Sequence, residues 1–257
     1  MARRAASAIQ AATHSYLVSQ RDAAASAARH SPRSMIVEAI DKANGADGAS
    51  KLGEAIRAQL ATVARDSGKL GVNQVIPAAR VRKAVGDKTS PADLDEMLSL
   101  VDQEAAEWAN EHASELVGMR FVDGKWVVNP NPDWSIDKTT REALTRMVEQ
   151  AELIGLTNDD LADAIEEMGE FSEVRAEMIA RTETQFASLE GNRIGWRASG
   201  VVGSRRWMTS QEDPCEDCKS MDGEEVGVDE EFEGGDAPRH PRCECAERPI
   251  LSEDAYD

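Results

Sequence analysis

Apolar residues recur at helical spacing in the first half of the chain. Leu52, Ile56, Leu60 and Val63 are separated by four, four and three positions, which places them on one face of a helix. Leu94, Met97, Leu98 and Val101 form a similar stripe, on a helix predicted to extend as far as Val117. The pattern predicts a helical N-terminal region whose stripes face a core.

Local signals suggest where these helices begin and end. Ser-Pro pairs at 31–32 and 90–91 have the form of a helix start, a capping residue followed by proline in the first turn. Gly45, Gly68 and Gly71 are expected to interrupt or end helices, because glycine is a poor helix former. The sequence therefore predicts several helices of moderate length.

The pattern changes at residues 120–128, where apolar and aromatic residues flank Asp123-Gly124. This dipeptide favours the type I′ turn of a two-residue β-hairpin. The segment Asn129–Pro132 then ends regular structure, since it contains two prolines. We expect a short hairpin, a linker and a domain boundary near residue 130, which divides the chain into 1–130 and 131–257.

Three more helices are predicted between residues 140 and 196. Gly155 ends the first, Thr157 caps the second and Ser172 caps the third. After Gly200 a β-like segment, VVGSRRWMTS, leads to the first cysteine. The apolar stripes predicted as core are Leu144, Met147, Val148, Ala151 and Ile154; Leu161, Ala164, Ile165 and Met168; and Val174, Met178, Phe186, Leu189 and Trp196.

Composition agrees with a helical protein. Aromatic residues make up 4% of the chain and charged residues 30%, a balance that disfavours a β-sandwich. No run of eighteen apolar residues is present, so the sequence predicts no membrane span and no membrane partner. The N-terminus lacks a continuous apolar segment, and we expect no secretory signal.

Charge is distributed unevenly along the chain. Residues 1–90 contain 14 Lys and Arg and 7 Asp and Glu, a net of +7, whereas residues 91–257 contain 15 and 41, a net of −26. DNA phosphates would repel so acidic a C-terminal region. The basic N-terminal region could contact DNA or an acidic protein surface, or could simply be a solvated helix surface.

The first 33 residues contain five arginines and one acidic residue, Asp22. We expect a long helix at 1–33 that could serve as a docking arm; the sequence leaves open whether it is ordered alone or only on a partner. A composition rich in Arg, Ser and Ala is also typical of an organelle transit peptide, which is the alternative for this segment.

Every cysteine of the chain lies in two short stretches near its C-terminal end. Cys215 and Cys218 form a C-x2-C pair, a spacing that lets two thiolates bind one tetrahedral ion from a tight turn. His240, Cys243 and Cys245 follow and offer three more donors. Five donors serve four positions: Cys215, Cys218 and Cys243 are the strongest candidates, and His240 and Cys245 compete for the fourth. We predict a structural Zn²⁺ site.

Other roles for these cysteines remain open. Two disulfides are one alternative, which reducing compartments disfavour, and inert core thiols are another, although the flanking loops are hydrophilic. Between the two pairs, residues 223–236 are acidic and glycine-rich and are expected to form an exposed excursion that matches no calcium-loop signature. The sequence thus predicts a mainly α fold, with an N-terminal helical region and a helical bundle followed by a small β-containing subdomain stapled by the Cys/His site.

A series of short motifs runs through the second half of the chain: Ala180-Arg181-Thr182-Glu183, Asn192, Trp207, Cys215-x2-Cys218, Met221-Asp222-Gly223 and His240-Pro241-Arg242-Cys243-Glu244-Cys245. In this order they resemble the phage Mu F-like minor head protein (head-morphogenesis) family, over residues from about 140 to 250. The chain departs from the family pattern at Met221, where leucine is usual, and at Glu244, where arginine is usual. The second change removes a cation beside the predicted metal.

The resemblance implies a minor head protein of a tailed bacteriophage that associates with the portal and assists procapsid assembly, DNA packaging or DNA delivery. It implies a location in the virion head, and in the host cytoplasm during assembly. The implied partners are the portal protein or the major capsid protein, in a symmetric assembly with multiple copies.

The resemblance implies no catalysis, and we expect none. The alternative is a metal-dependent or ADP-ribosyltransferase-like enzyme carried in the virion, but the chain contains no Ser-His-Asp set, H-E-x-x-H or P-loop motif. Arg181 and Glu183 have two interpretations: a solvated helix face, or groups that tie their helix to the cysteine loops by hydrogen bonds.

Overall fold

The computed structural model describes residues 2–82, 91–211 and 214–253. This part of the chain is mainly α-helical with a small C-terminal sheet, so the predicted fold class is confirmed. The helices are α1 (Ala2–His30), α2 (Ile36–Arg82), α3 (Pro91–Leu116), α4 (Ile136–Ile154), α5 (Asn158–Glu166), α6 (Glu173–Ser199) and α7 (Glu216–Ser220). The strands are β1 (Met119–Val122), β2 (Lys125–Val128), β3 (Val202–Met208), β4 (Glu225–Gly227) and β5 (Ala246–Leu251).

The chain forms two compact units. The cysteine unit consists of Met1–Ala5, Leu60–Ala109 and Arg181–Asp257. The hairpin unit consists of Ala6–Gln59 and Asn110–Ala180. The expected boundary near residue 130 stays a prediction.

Helix α2 differs from the prediction at its glycines. Gly45, with φ 54° and ψ −166°, interrupts helical geometry as expected. Gly68 and Gly71, however, lie inside the helix, and the prediction that they end it is wrong. The reason is packing against α6: a Cβ on Gly195 would lie 2.1 Å from the carbonyl oxygen of Gly68, and one on Gly191 would lie 2.1 Å from that of Ala64. Glycine is needed at positions 191 and 195 of α6, because a side chain there would prevent the close approach of α6 to the backbone of α2.

Helix α1 is part of the folded protein. Its buried positions follow the helical repeat and include Ile9, Leu17 and Ala24, each with no exposed surface. Within the hairpin unit, Arg29 forms ion pairs with Asp163 and Glu166, both at 2.8 Å. Residues 6–30 of α1 are thus ordered within the hairpin unit, a point that the sequence left open, and a docking role for the segment stays a prediction. The predicted start at 31–32 agrees with the break between α1 and α2, whereas Ser90 lies outside the described residues.

Strands β1 and β2 form the predicted hairpin. Val122 pairs with Lys125, so the loop has two residues. Asp123 has φ 49° and Gly124 has φ 76°, and positive φ at both positions defines the type I′ turn. The aromatic rings of Phe121 and Trp126 pack edge to face, with centroids 5.4 Å apart.

The three predicted signals at the ends of the next helices are present, although α4 begins at Ile136 and α6 ends at Ser199, beyond the predicted span of 140–196. Gly155 ends α4 with φ 71°, and Ser172 Oγ accepts from Arg175 N at 3.2 Å in the first turn of α6. Thr157 and Asp160 form a reciprocal capping box on α5.

Two residues of the predicted stripes are exposed, and Met147, Val148, Ala164, Met178 and Phe186 are only half-buried. Ile154 is 61% exposed because it is the last residue of α4, and Val174 is 62% exposed near the start of α6. Small residues take the buried face of α6 instead, including Ala176, Ala180 and Ala187.

The C-terminal sheet has the order β4-β3-β5, and both pairings are antiparallel. Strand β3 corresponds to the predicted β-like segment. It is central and places Arg205 and Trp207 on its buried face, because alternate residues of a strand point the same way. This sheet carries the two loops that contain the cysteines.

Among the helices that the structure describes, none has an apolar stretch long enough to cross a membrane.

Candidate metal centre

The first cysteine pair lies at the start of the short helix α7. Cys215 is the N-cap, and its Sγ accepts the backbone N–H of Cys218 at 3.4 Å. Thr209, which follows β3, donates its hydroxyl to the carbonyl oxygen of Cys218 at 2.7 Å. The C-x2-C turn is therefore held at both ends by hydrogen bonds.

The second stretch forms a tight turn and then an extended segment. Cys243 N donates to the carbonyl oxygen of His240 at 3.1 Å, and Arg242 between them has φ 61°. Cys243 and Cys245 are buried while Glu244 is exposed, which is the alternation of an extended chain. Both thiols consequently face inward.

The five predicted donors lie in one cluster. Cys218 belongs to two groups of three whose ligand atoms all lie within 4.8 Å of one another. One group adds Cys215 and His240, and the other adds Cys243 and Cys245. Cys218 is therefore the centre of the cluster.

Several donor distances match the edges of a tetrahedral site. His240 Nε2 lies 3.3 Å from Cys218 Sγ and 3.5 Å from Cys215 Sγ, and Cys218 Sγ lies 3.9 Å from Cys243 Sγ. Zn–S bonds of about 2.3 Å and Zn–N bonds of about 2.0 Å place neighbouring donors roughly 3.5–3.8 Å apart. These three separations suit a single ion, and the five donors form two such groups of three that share Cys218.

The orientation of His240 suits metal binding. Its Nδ1 lies 3.0 Å from the carbonyl oxygen of Pro241, which can only accept, so Nδ1 carries the hydrogen. In the neutral ring, Nε2 then has a free lone pair directed at the thiols. A second hydrogen bond that fixes the tautomer in this way is typical of metal-binding histidines.

The thiols differ in their readiness to ionise. The backbone N–H of Cys218, the Cys218 thiol and nearby His240 lower the pKa of exposed Cys215. Burial raises the pKa of Cys218 and of Cys245. Buried thiols bind a metal as thiolates, so metal binding here would release protons and become weaker at low pH.

The donor set fits a zinc ion and exceeds what it needs. Thiolate and imidazole are the ligands of structural zinc sites, which take four. The cysteines and His240 line a cleft of about 330 Å³, and Cys215 is the exposed thiol of the cluster. Whether His240 or Cys245 is the fourth ligand stays open, as in the sequence-based prediction.

The cysteines also form part of a small apolar core. Trp207 packs edge to face on Phe232, with ring centroids 5.4 Å apart, and is fully buried. Met221, which stands where the resembled family has leucine, is 9% exposed and lies in the same core. The cluster comprises Leu189, Trp207, Cys218, Met221, Phe232, Ala237, Cys243 and Cys245.

Sequence reasoning missed a buried ionic network beside the cysteines. Glu247, whose side chain has no exposed surface, accepts from Arg193 at 2.6 Å and from Arg205 at 2.7 Å. Arg205 also binds Asp236 at 2.8 Å, and Arg193 donates to the carbonyl oxygen of Ala237 at 2.7 Å. The network joins α6, β3, β5 and the loop before His240. In the sequence, the one sign of this network is the alternation C-x-C-x-E at residues 243–247, which places Glu247 on the same inward face as the two cysteines.

The acidic segment 223–236 is not simply an exposed excursion. Glu225–Gly227 forms β4, Phe232 is buried and Asp236 binds Arg205. The prediction was wrong for these positions because an isolated aromatic residue and a salt bridge anchor the segment. Most of its other acidic side chains are exposed, as expected.

Helix α6 is tied to the cysteine loops. Thr182 Oγ1 accepts the backbone N–H of Arg242 at 3.2 Å, and Gln185 Nε2 donates to the carbonyl oxygen of Cys245 at 3.1 Å. Glu183 is 5% exposed, so the solvated-face interpretation is wrong for it, whereas Arg181 is exposed. These two hydrogen bonds come from Thr182, which lies between Arg181 and Glu183, and from Gln185, two positions after Glu183.

The same region matches the model of a known protein family. Residues 140–248 match the family described as phage Mu protein F like protein, in agreement with the extent of the resemblance. Comparisons with curated proteins and with solved structures gave no match.

Proposed function

Because residues 140–248 belong to the phage Mu protein F like family, we propose that this protein is a minor head protein of a tailed bacteriophage. The family match carries the proposal. Within the matched region, the motif residues Cys215, Cys218, His240, Cys243 and Cys245 form the cluster that could hold a metal ion. In the proposed role the protein assists head morphogenesis, through procapsid assembly or through DNA packaging or delivery. It resides in the virion head and, during assembly, in the host cytoplasm.

The proposed partners are the portal protein or the major capsid protein, with several copies of this chain in a symmetric assembly. The net charge of +7 over residues 1–90 supports contact with an acidic protein surface, and DNA is the rival partner for that surface. Arg3 and Arg4 are exposed at the start of α1. Charge attraction of this kind weakens with salt, since the Debye length is about 8 Å at physiological ionic strength.

The metal centre is proposed to hold Zn²⁺ as a structural staple. The cluster offers enough thiol and imidazole donors to fill all four positions of the ion, whereas a catalytic zinc needs an open one. We accordingly propose that the protein is not an enzyme. X-ray absorption should find only sulfur and nitrogen neighbours at the ion. A metal-bound oxygen, together with a zinc-dependent reaction, would favour the enzymatic alternative.

The proposed role is tested by locating the protein in virus particles. Gradient-purified heads of the encoding phage should contain it at a constant copy number by quantitative mass spectrometry, and crosslinking should join it to the portal or capsid protein. Recovery only in the soluble fraction of the lysate would contradict the proposal.

The docking surface needs surface substitutions rather than a deletion, because removal of residues 1–33 would also remove the buried residues of α1. Arg3→Glu combined with Arg4→Glu should slow association with the portal protein and reduce its salt dependence. Lys125→Glu, an exposed charge reversal on the hairpin, is the matched control. Unchanged association of the α1 variant would exclude this end of the helix, and a parallel DNA gel shift would identify DNA binding.

A further inference from the structure

A ligand-sized cavity lies in the hairpin unit, apart from the metal centre. Its volume is about 790 Å³, within the range of roughly 300–1,000 Å³ found for ligand pockets. Its walls come from α2 around the Gly45 interruption, from the base of the hairpin, from the segment 129–133 and from the first turns of α4. A Cβ on Gly45 would meet nothing within 4 Å, so this wall is open.

One carboxylate on the cavity wall is held by uncharged donors. Asp137 accepts the Tyr16 hydroxyl, with 2.9 Å to Oδ1 and 2.8 Å to Oδ2, and accepts Gln20 Nε2 at 2.8 Å. Tyr16 is 7% exposed and Gln20 is 2% exposed, so both donors are well ordered by burial. Burial raises the pKa of Asp137, and the hydrogen bonds from Gln20 and Tyr16 together with the charge of Arg141 offset this rise only in part.

The cationic side chains around the cavity have other partners. Arg141 forms an ion pair with Asp41. Lys138 donates to the carbonyl oxygens of Pro132 at 3.1 Å and Asp133 at 2.8 Å. Among the residues that the structure describes, none forms an ion pair with Asp137. Asp137 thus faces the cavity without a direct ion-pair partner, while Arg141 on the same wall acts on it only through longer-range electrostatic attraction.

We propose that this cavity binds the cationic end of a lysine or arginine side chain from an extended segment of a partner protein. Asp137 pairs with the ammonium or guanidinium group through charge-assisted hydrogen bonds, which are roughly twice as strong as neutral ones. The aliphatic stem packs on apolar wall residues such as Ala49, Val117 and Met119.

The surroundings of the cavity favour a polypeptide over a small free cation. The cavity reaches Val128, which is 57% exposed at the end of β2. Strands β1 and β2 form a sheet of only two strands, so each presents an edge without a strand partner in the described chain. Such an edge lets an extended segment continue from the cavity by backbone hydrogen bonds.

The test uses the full chain, labelled for NMR, and two probe peptides. Acetyl-Val-Lys-Val-amide carries the ammonium group, and its norleucine counterpart lacks only that group. We expect the lysine peptide to bind at least about tenfold more tightly, with amide shifts around Gly45, Gly118 and Asn129. In Asp137→Asn this preference should disappear, because the asparagine keeps a hydrogen-bond acceptor but not the charge. Asp123→Asn, the same change at the hairpin turn, should leave it intact.

Each other result would overturn the proposal. Equal binding of the two peptides to the wild type would indicate a merely apolar slot, and no shifts at these residues would exclude a binding site. Tight binding of spermidine without binding of the lysine peptide would assign the cavity to a free polyamine. A thermal melt checks that Asp137→Asn is folded, and the comparison of the two peptides on the wild type does not depend on that variant.

Discussion

The C-terminal corner at residues 200–251 and the helices α4 and α5 are stabilised in different ways. Three of the eight residues in the apolar cluster of the corner are cysteines that also belong to the candidate metal site. The helices bury ordinary apolar residues such as Leu144, Leu161 and Ile165, and the side chains of Ser135 and Thr157 cap their N-terminal ends. A region of short strands and loops buries too little apolar surface to fold alone, so it needs a cross-link that helices do not need.

The corner also depends on buried charges. Replacing a buried ionic network by apolar residues often costs nothing, but removing one partner leaves the others unpaired and is strongly destabilising. Glu247 is shared by Arg193 and Arg205, so its loss affects two cations at once. A single substitution in the network should therefore destabilise the whole corner. A single substitution in α4 or α5 should lower the free energy of unfolding by a smaller amount.

The largest effect is expected from Cys218→Ala, which removes the donor common to both ligand groups. Bound zinc should be lost, and the corner should lose about 4 kcal/mol where the metal had been present at 1,000 times its Kd. Hydrogen exchange should rise over β3, β4 and β5 and at the end of α6, but not over α4 and α5.

Ser220→Ala, an exposed change on the same helix α7, is the control for this variant and should keep the metal and the protection. Equal loss of protection in α4 would show that the metal stabilises the whole chain rather than the corner.

The next effect is expected from Glu247→Gln, which keeps the shape and removes the charge. Leaving Arg193 and Arg205 buried without this partner should cost about 3 kcal/mol of unfolding free energy, measured by urea denaturation. Glu225→Gln removes an exposed pair with Arg206 in the same sheet and should cost less than about 1 kcal/mol. Similar costs for the two variants would mean that the buried network contributes little.

Gly195→Ala should have an intermediate effect and tests helix packing without changing the metal site. Its new Cβ would meet the carbonyl oxygen of Gly68, so α6 must shift at a cost of about 1–3 kcal/mol. Gly169→Ala is the matched change, because a Cβ there meets nothing within 4 Å. A thermal melt in which Gly195→Ala is as stable as Gly169→Ala would refute the close approach.

The smallest effect is expected from Thr157→Ala, which removes the cap of α5. Thr157 Oγ1 accepts Asp160 N at 3.1 Å, and loss of such a cap typically costs about 1 kcal/mol. Hydrogen exchange should rise in α5 alone and leave zinc binding unchanged, with exposed Thr145→Ala in α4 as the control. Loss of zinc from Thr157→Ala would show that the corner and the helices α4 and α5 are not stabilised independently.

Features that depend on neighbouring residues were visible in the sequence. The turn at Asp123-Gly124, the caps at Thr157 and Ser172 and the cysteine spacing each express chemistry within a few positions. The sequence also indicated that the two cysteine stretches meet, because every thiol lies in them.

Features that depend on distant residues were not visible. Gly68 has the local chemistry of a helix break, and only the approach of α6 shows why it lies within a helix. Arg205 and Glu247 are common surface residue types, and their burial follows from the register of β3 with β5. The cavity beside Asp137 likewise combines residues more than a hundred positions apart, such as Tyr16, whose meeting no local pattern encodes.

The glycine contact between α2 and α6 has a consequence for synthesis on the ribosome. Gly195 is added more than a hundred residues after Gly68. At about 5–20 residues per second, the nascent chain therefore waits roughly 6–25 s with the backbone of Ala64 and Gly68 uncovered by α6. During that interval this face of α2 stays open, so the contact between the two helices can form only when the C-terminal half arrives.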